Sequence, residues 1–489
     1  MWETERRDWS TMQRAPARFE QVTFMRRNRL LPFVFGFWGA LPSGSVLAAP
    51  GQTGSTGPQS ESEPDSTDEP ADTDAAEGGI LPIRTYAGAL EERDHLLGDM
   101  GGFRDRAVER GLRYELEWTQ TWQGVVDGGR KRGDAYGGRL QLPITVDLDR
   151  AGLMRGALLG VRVEGRYGES VNLDTDALFA VNDAMFFPLG DGLDEDLLAI
   201  TEVRYTQFLS ETTGVVLGKW IVLGADANEF AGGVGTTQFM GHSFVAPAVT
   251  AQINPYSGLG ASAFWMPEEG VTLSSALYTS SDTSTTSGFD LLDDGLTWST
   301  ALKLQTTERR QPGGMFMAFQ YGFDGNYADT EGQFQSTEGF SIPRTSTSWN
   351  AFWNGWQYLS SRCPESGAKV NPSDGRTDLV GYGVFARVGV ADPETNPVDW
   401  SFSLGLGGRG LYESRPDDTW GIGFAHAQLR ENLLTNTPFL DDQGQRWEAY
   451  YSFALTPAVE LSFNFQHVDP LSEQADRATV LGLRLRCAF

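Results

Sequence analysis

The chain has 489 residues, of which 40% are hydrophobic, and its 38 basic and 65 acidic residues give a net charge of −27. A strongly acidic chain argues against nucleic acid as a partner, because nucleic-acid phosphates bind basic surfaces. No apolar run of about 18 residues follows residue 112, so helical membrane spanning is excluded there.

The amino-terminal residues 1–48 have the layout of a secretory signal. Arginines between positions 26 and 29 precede an apolar run over 30–40, and small residues follow. This apolar core is too short to span a bilayer and is interrupted by Pro and Gly. Met25 stands directly before the arginines and is a better translation start than Met1. We therefore expect an exported protein.

Residues 49–80 are predicted to form a disordered acidic tether. Between Pro50 and Gly79 the chain has no basic residue and almost nothing apolar. Such a composition cannot offset the entropy lost when a chain is ordered.

From Leu112 onward, segments of about ten residues alternate between apolar and polar side chains and are bounded by Gly, Pro, Asp or Ser. Alternation with a period of two is typical of a strand with two different faces. We predict sixteen strands, near 112–126, 137–148, 157–167, 200–209, 213–223, 257–266, 270–279, 296–305, 313–323, 346–359, 379–390, 400–410, 419–429, 445–455, 459–468 and 480–489.

The last strand runs without a break to the terminal Phe489, which shares its apolar face with Leu481 and Leu483. Arg484 and Arg486 lie on the other face. Bacterial outer-membrane barrels commonly end in this way, because the last strand closes the ring against the first. The edge strand of a soluble sandwich is the alternative. In a barrel, Phe489 is expected to be recognised by the barrel-assembly machinery.

A closed barrel is the only strand structure that pairs every backbone group in lipid. We therefore predict an all-β, antiparallel transmembrane barrel over 112–489, in contact with outer-membrane lipid and lipopolysaccharide. An even strand number places both termini in the periplasm. The long links, above all 168–199 and 224–256, are then extracellular, whereas 360–378 is a long link on the periplasmic side. Aromatic residues near strand ends, including Trp298, Trp447 and Tyr450, are expected to form girdles.

Charged side chains on the strands must face the lumen, since an Arg at the bilayer midplane costs roughly 2–4 kcal/mol. The mixture of signs favours a neutral, hydroxyl-rich solute. The alternative is that opposite charges on neighbouring strands pair and hold the wall together. The predicted lumen residues are Arg139, Arg162, Glu164, Arg166, Glu202, Arg204 and Lys219.

The links 168–199 and 224–256 are candidates to fold inward and narrow the channel. Phe186 and Phe239 are proposed to contact a sugar, whose ring has an apolar face and a polar rim. The alternative is that these aromatic residues only pack the links against the wall.

Several strings in order across the mature chain resemble the carbohydrate-selective porins of the OprB type. They are Gly98–Arg104, Gln123–Val126, Tyr136–Arg139, Tyr167–Asn172, Thr206–Ser210, Gly235–Met240, Arg415–Gly421 and Val480–Arg486.

The resemblance implies a sixteen-stranded outer-membrane barrel that passes glucose and related small carbohydrates by passive diffusion. It also implies a short periplasmic segment at 81–111, which we expect to hold one or two helical turns with Phe103, Ala107 and Val108 on one side. Charged lumen residues shape the constriction in this family, which favours Arg139, Arg166 and Arg204.

The residues give little indication of a metal site, a catalytic site or a disulfide. The four histidines are dispersed without zinc spacing, and no serine elbow is complete. A disulfide between Cys363 and Cys487 is permitted outside the cytoplasm, but their predicted strands lie several places apart. We expect a transport protein without catalysis or cofactor. A general or ion-selective porin is the main alternative, an outer-membrane enzyme or structural barrel is another, and a monomer and a trimer both remain open.

Overall fold

The computed structural model describes residues 78–188, 196–222, 228–250, 252–308, 311–330, 335–336, 339–340, 342–363 and 379–489. The predicted signal region, the predicted tether up to residue 77 and most of the link 360–378 lie outside these residues.

Seventeen strands of the described chain form one sheet, and one of them is the short strand Leu112–Tyr114 beside the second long strand. The other sixteen form the wall of a barrel. They are β1 (Glu117–Gly129), β2 (Gly133–Asp147), β3 (Ala157–Gly168), β4 (Leu197–Phe208), β5 (Thr213–Ile221), β6 (Ser257–Trp265), β7 (Val271–Thr279), β8 (Leu296–Glu308), β9 (Gln311–Phe323), β10 (Ser348–Arg362), β11 (Val380–Ala391), β12 (Val398–Arg409), β13 (Thr419–Leu429), β14 (Gln443–Thr456), β15 (Val459–Val468) and β16 (Asp476–Ala488).

The ring closes between the first and the last of these strands. β1 pairs antiparallel with β16, with Glu117 opposite Ala488 and Thr121 opposite Arg484. Each strand otherwise pairs with its neighbours in the chain, so the ring leaves no unpaired edge. The prediction of a sixteen-stranded antiparallel barrel is confirmed.

The two faces of the wall differ as the alternation predicts. Large apolar side chains stand exposed on the outside, for example Leu404 at 48% and Phe463 at 50%. Their neighbours Ser403 and Ser462 point inward and are buried. An apolar exterior around a polar interior suits a barrel surrounded by lipid. Among the described residues, no helix is long and apolar enough to cross a membrane.

The segment before β1 packs against the barrel end where β1 begins and β16 stops. The N–H of Leu96 donates to the carbonyl of Ala488 at 2.8 Å, and the Asp147 carboxylate accepts the N–H groups of Ile80 and Leu81. The segment contains helix α1 (Phe103–Glu109), whose buried residues are Arg104 and Val108. Phe103, predicted on the same side of the helix as Ala107 and Val108, is 56% exposed, whereas Val108 is buried.

Links at the two ends of the barrel differ in length. Links near α1, such as 209–212 and 457–458, are mostly short, with the long link 363–379 as an exception. The links 169–196, 222–256, 280–295 and 324–347 at the other end are long. The long links include the 3-10 turns His242–Phe244, Ala248–Thr250 and Phe289–Asp294, and helix α2 (Glu431–Asn436) follows β13. Their assignment to the cell exterior stays a prediction. Cys363 and Cys487 are both free thiols.

Candidate functional site

Two of the long links fold into the ring. We call the described part between β3 and β4, residues 169–188, the first inward segment. The described part between β5 and β6, residues 228–250 and 252–256, is the second inward segment. The first reaches Arg446 on β14 and the second reaches Arg484 on β16, both of which are buried inward-facing residues of distant strands. The segments therefore occupy the barrel interior.

Arginine side chains of the barrel wall donate hydrogen bonds to backbone carbonyls of both inward segments. Arg166 donates to the carbonyls of Met185 and Phe186 at 3.1 and 2.9 Å, and Arg446 donates to that of Ala180 at 2.8 Å. Arg484 donates to the carbonyls of Gly235, Thr237 and Gln238 at 2.9–3.1 Å, and Arg387 donates to that of Ala231. Each of these arginine residues is at most 4% exposed. The planar fork of donors suits arginine to bind several carbonyls at once.

A carboxylate and a histidine complete the attachment. Glu448 on β14 accepts the N–H groups of Met240 and Gly241 at 2.5 and 3.0 Å. The two segments also bind each other, because His242 Nδ1 lies 2.5 Å from Asp183 Oδ1 and the Asp183 N–H donates to the Met240 carbonyl. The interior is thus built as one connected unit rather than as two separate loops.

Three of the predicted lumen residues lie in the buried part of this unit. Arg139 donates to Glu164 Oε1 at 2.9 Å, and the Tyr256 hydroxyl donates to Glu164 Oε2 at 2.6 Å. Arg139, Glu164 and Arg166 are exposed by no more than 2%. For these three, the structure shows pairing within the wall and with the inward segments.

A second group of charges keeps contact with water. Arg162, Glu202 and Arg204 form adjoining ion pairs on β3 and β4, with Arg204 Nε 2.8 Å and Arg162 Nε 3.7 Å from the Glu202 carboxylate. Their side chains are 25%, 11% and 18% exposed, respectively. Because the group faces inward and is only partly covered, it can exchange hydrogen bonds with a solute in the lumen.

A similar group lies where the ring closes. Arg486 on β16 donates to Glu117 on β1 at 2.8 Å and to Glu460 on β15 at 3.3 Å. These side chains are 17–26% exposed. Sequence reasoning placed Arg486 on the polar face of the last strand but did not include the three residues among the site candidates.

The prediction that Lys219 faces the lumen was wrong. On β5 it alternates with Trp220, which packs on the inside with Val216 and Tyr278. Lys219 shares the outward face with Leu217, which is 48% exposed. Its ammonium group donates to the carbonyls of Thr283 and Thr286, both at 2.7 Å. Because carbonyls of the link 280–295 bind this ammonium group at the rim of the barrel, Lys219 does not need to face the lumen.

The predicted aromatic contacts are covered. Phe186 is 4% exposed and Phe239 is 0% exposed. Phe239 stacks on Phe244 with a centroid distance of 4.6 Å and meets Tyr450 at 4.9 Å. Tyr450 therefore faces inward, and its predicted place in an outer girdle was wrong. The two phenylalanines pack the inward segments and offer a solute almost no surface.

Sequence reasoning also missed Arg387, Arg446 and Arg484 as site residues. All three lie on inward positions of strands whose alternation could be read from the sequence. Their carbonyl partners are 156 to 266 residues away along the chain, which no local pattern indicates.

A closed ring of sixteen strands, apolar outside and lined inside by charges and inward segments, defines the class of outer-membrane porins. A family model described as carbohydrate-selective porin, OprB family, matches residues 131–489. Porin B of Pseudomonas aeruginosa is 22% identical over 464 residues, which cover 84% of this chain and 96% of that protein.

Two solved structures show the same fold. The high-pH structure of Pseudomonas putida OprB superposes with a TM-score of 0.68 at 18% identity and covers 82% of this chain and 100% of that one. The low-pH structure of the same protein gives a TM-score of 0.50 at 14% identity, with coverage of 82% and 99%. The chain belongs to the carbohydrate-selective porin, OprB family, and its location is the bacterial outer membrane.

Proposed function

We propose that this porin passes glucose and related small carbohydrates by passive diffusion and prefers them to ions of similar size. The proposal is supported by family membership and by the pairing of charges in the lumen. The observation that carries it is the partly exposed group Arg162, Glu202 and Arg204, in which two guanidinium groups share one carboxylate.

Paired charges suit a neutral polar solute better than an ion. A guanidinium group supplies hydrogen-bond donors and a carboxylate supplies acceptors, and a sugar hydroxyl can use both. The group on β3 and β4 has a net charge of +1 and the group of Arg486, Glu117 and Glu460 has a net charge of −1, so the two groups together are neutral and a passing ion is only weakly attracted. Binding must stay weak for conduction, on the order of millimolar or about −4 kcal/mol.

Purified protein in liposomes tests this function. Swelling rates are compared for glucose, a disaccharide, an amino acid and an anion of glucose size. We expect glucose to enter faster than the size-matched solutes. Rates that follow size alone would identify a general porin instead. In that case the charges of the lumen only stabilise the wall.

A further inference from the structure

The second inward segment lies against a part of the inner wall that carries small side chains. On β12 and β13 no inward side chain between residues 401 and 407 or between 421 and 427 is larger than that of serine. Gly407 lies opposite Gly421 and also opposite Gly383 on β11. We name Gly383, Gly407, Gly421 and Gly423 the glycine trough.

Aromatic residues of the second inward segment fill the glycine trough so closely that an added Cβ atom would overlap with them. A Cβ atom on Gly407 would lie 2.9 Å from Phe230 Cβ. A Cβ atom on Gly423 would lie 2.4 Å from Phe244 Cε1. A Cβ atom on Gly383 would lie 2.5 Å from Phe230 and 2.3 Å from the wall carbonyl of Gln357, and one on Gly421 would lie 2.9 Å from Phe239 and 2.6 Å from Tyr450 on the wall. Carbon atoms in contact normally stay about 3.5–4.0 Å apart, so a methyl group at these sites forces a movement.

The rings have little freedom to turn aside. Phe230, Phe239 and Phe244 are 0–3% exposed. Phe230 meets Tyr358 at a centroid distance of 4.8 Å, and Phe239 and Phe244 stack on each other at 4.6 Å. In a close-packed interior, relief of a steric conflict comes from displacement of the whole unit. Since the wall is a continuous sheet, that displacement is directed toward the barrel axis.

Gly407 gives the sharpest case. The atom that a new methyl group would meet is the Cβ of Phe230, which is fixed to the backbone of the segment and cannot move by side-chain rotation. The neighbouring carbonyl of Ala231 is held by Arg387, so the same stretch is anchored from the wall by a hydrogen bond as well.

We propose that the glycine trough sets how far the second inward segment projects into the lumen, and so sets the size limit of the solutes that pass. The trough glycines are positioning residues: they contact the segment and act on the solute only through it. This inference rests on the proposed function as a diffusion channel but not on its preference for sugars.

The test uses the full mature protein with Gly407→Ala and Gly423→Ala, each reconstituted in planar bilayers and in liposomes. Gly124→Ala is the matched control, because it lies on the outward face of β1 with its nearest neighbours at 3.6 Å. We expect both trough variants to show lower single-channel conductance in KCl and to lose disaccharide passage before glucose passage. The control keeps the conductance of the unchanged protein.

A second variant separates displacement from a folding defect. Gly423→Ala combined with Phe244→Leu removes ring atoms at the point of conflict and is expected to regain conductance. The proposal is overturned if correctly closed trough variants conduct like the unchanged protein, or if the double variant stays as impaired as Gly423→Ala. Conductance in KCl reports lumen width for any solute. A fall in both trough variants therefore supports the trough even where swelling shows no sugar preference, a result that overturns only the proposed function.

Discussion

Arg486 on the last strand binds Glu117 on the first strand through two hydrogen bonds of 2.8 and 3.2 Å, directly across the line where the ring closes. The same guanidinium group reaches Glu460 on β15 at 3.3 Å. One arginine thus ties three strands together from the inside. Two carboxylates beside one cation also mean that loss of the arginine leaves like charges facing each other.

We expect Arg486→Gln to lower the stability of the closed barrel by about 1–2 kcal/mol, less than the 3–5 kcal/mol for a fully buried pair because these side chains keep some contact with water. The measurement is the temperature at which the folded barrel loses its faster mobility in a detergent gel. Arg477→Gln is the control, since this residue on the same strand is 63% exposed and pairs with Asp469. Equal transition temperatures for both variants would contradict a role for Arg486 in closure.

Arg484→Ala is expected to loosen the second inward segment. The change leaves the carbonyls of Gly235, Thr237 and Gln238 without their donor, and an unsatisfied buried polar group costs about 1–3 kcal/mol. The predicted result is a noisier single-channel current with a higher mean conductance. Arg484→Lys keeps the charge without the planar fork, and its current noise and mean conductance should lie between those of the unchanged protein and those of Arg484→Ala. A quiet current of unchanged size in Arg484→Ala would show that other contacts suffice.

Arg204→Ala tests solute contact at the partly exposed charges. We expect the sugar concentration that half-blocks the ion current to rise roughly two- to tenfold, the effect of one lost hydrogen bond of about 0.5–1.5 kcal/mol. Glu202 keeps Arg162 as its partner, so the wall stays paired. Arg155→Ala, in the exposed link after β2, should leave the half-blocking concentration unchanged. If the half-blocking concentration is also unchanged in Arg204→Ala, Arg204 does not contact the solute.

The docking of the amino-terminal segment is predicted to weaken in acid. Burial and, to a smaller extent, the positive charge of Arg104 together lower the pKa of His95 to about 3. In the undocked segment His95 has its ordinary pKa near 6.5 and binds a proton below that pH, whereas in the docked segment it stays neutral. The free energy that favours docking therefore decreases as the pH falls from about 6.5 toward 3. Between pH 7 and pH 5 the loss is roughly 2 kcal/mol.

Amide hydrogen exchange over residues 80–111 measures this docking. We expect exchange to accelerate at pH 5 after correction for the intrinsic rate. His95→Phe keeps an aromatic ring beside Tyr86, which lies 5.0 Å away, and should remove most of the pH dependence. A variant as pH-dependent as the unchanged protein would assign the effect to another group.

The strands could be predicted because the alternation of apolar and polar side chains that indicates them lies within each short segment of sequence. Apolar and polar side chains alternate without interruption from residue 459 to residue 466, and the observed bounds of the strand, Val459–Val468, equal the predicted ones. The bend between Tyr114 and Glu117, where the first strand splits into two pieces, interrupts no alternation and therefore left no trace in the sequence. Local alternation also places Arg484 on the inner face without saying what it binds.

The site was harder to predict because its contacts join distant parts of the chain. Arg484 and Gly235 are 249 residues apart, and only the closed ring brings them together. Phe239 was proposed as a sugar contact from its residue type, but its cover by Tyr450 and Phe244 depends on the path of the whole segment. Lys219 was misplaced because its charge suggested the lumen, whereas the carbonyls of Thr283 and Thr286 satisfy it at the rim.

Liposome swelling with the purified, unaltered protein measures the solute selectivity of the channel. Entry of glucose is compared with entry of an amino acid and an anion of the same size at equal osmotic strength. We expect glucose to enter fastest and the anion to gain little, because the partly exposed arginines of the lumen are paired with carboxylates. Equal rates for all three solutes, or faster entry of the anion, would contradict a sugar-selective channel.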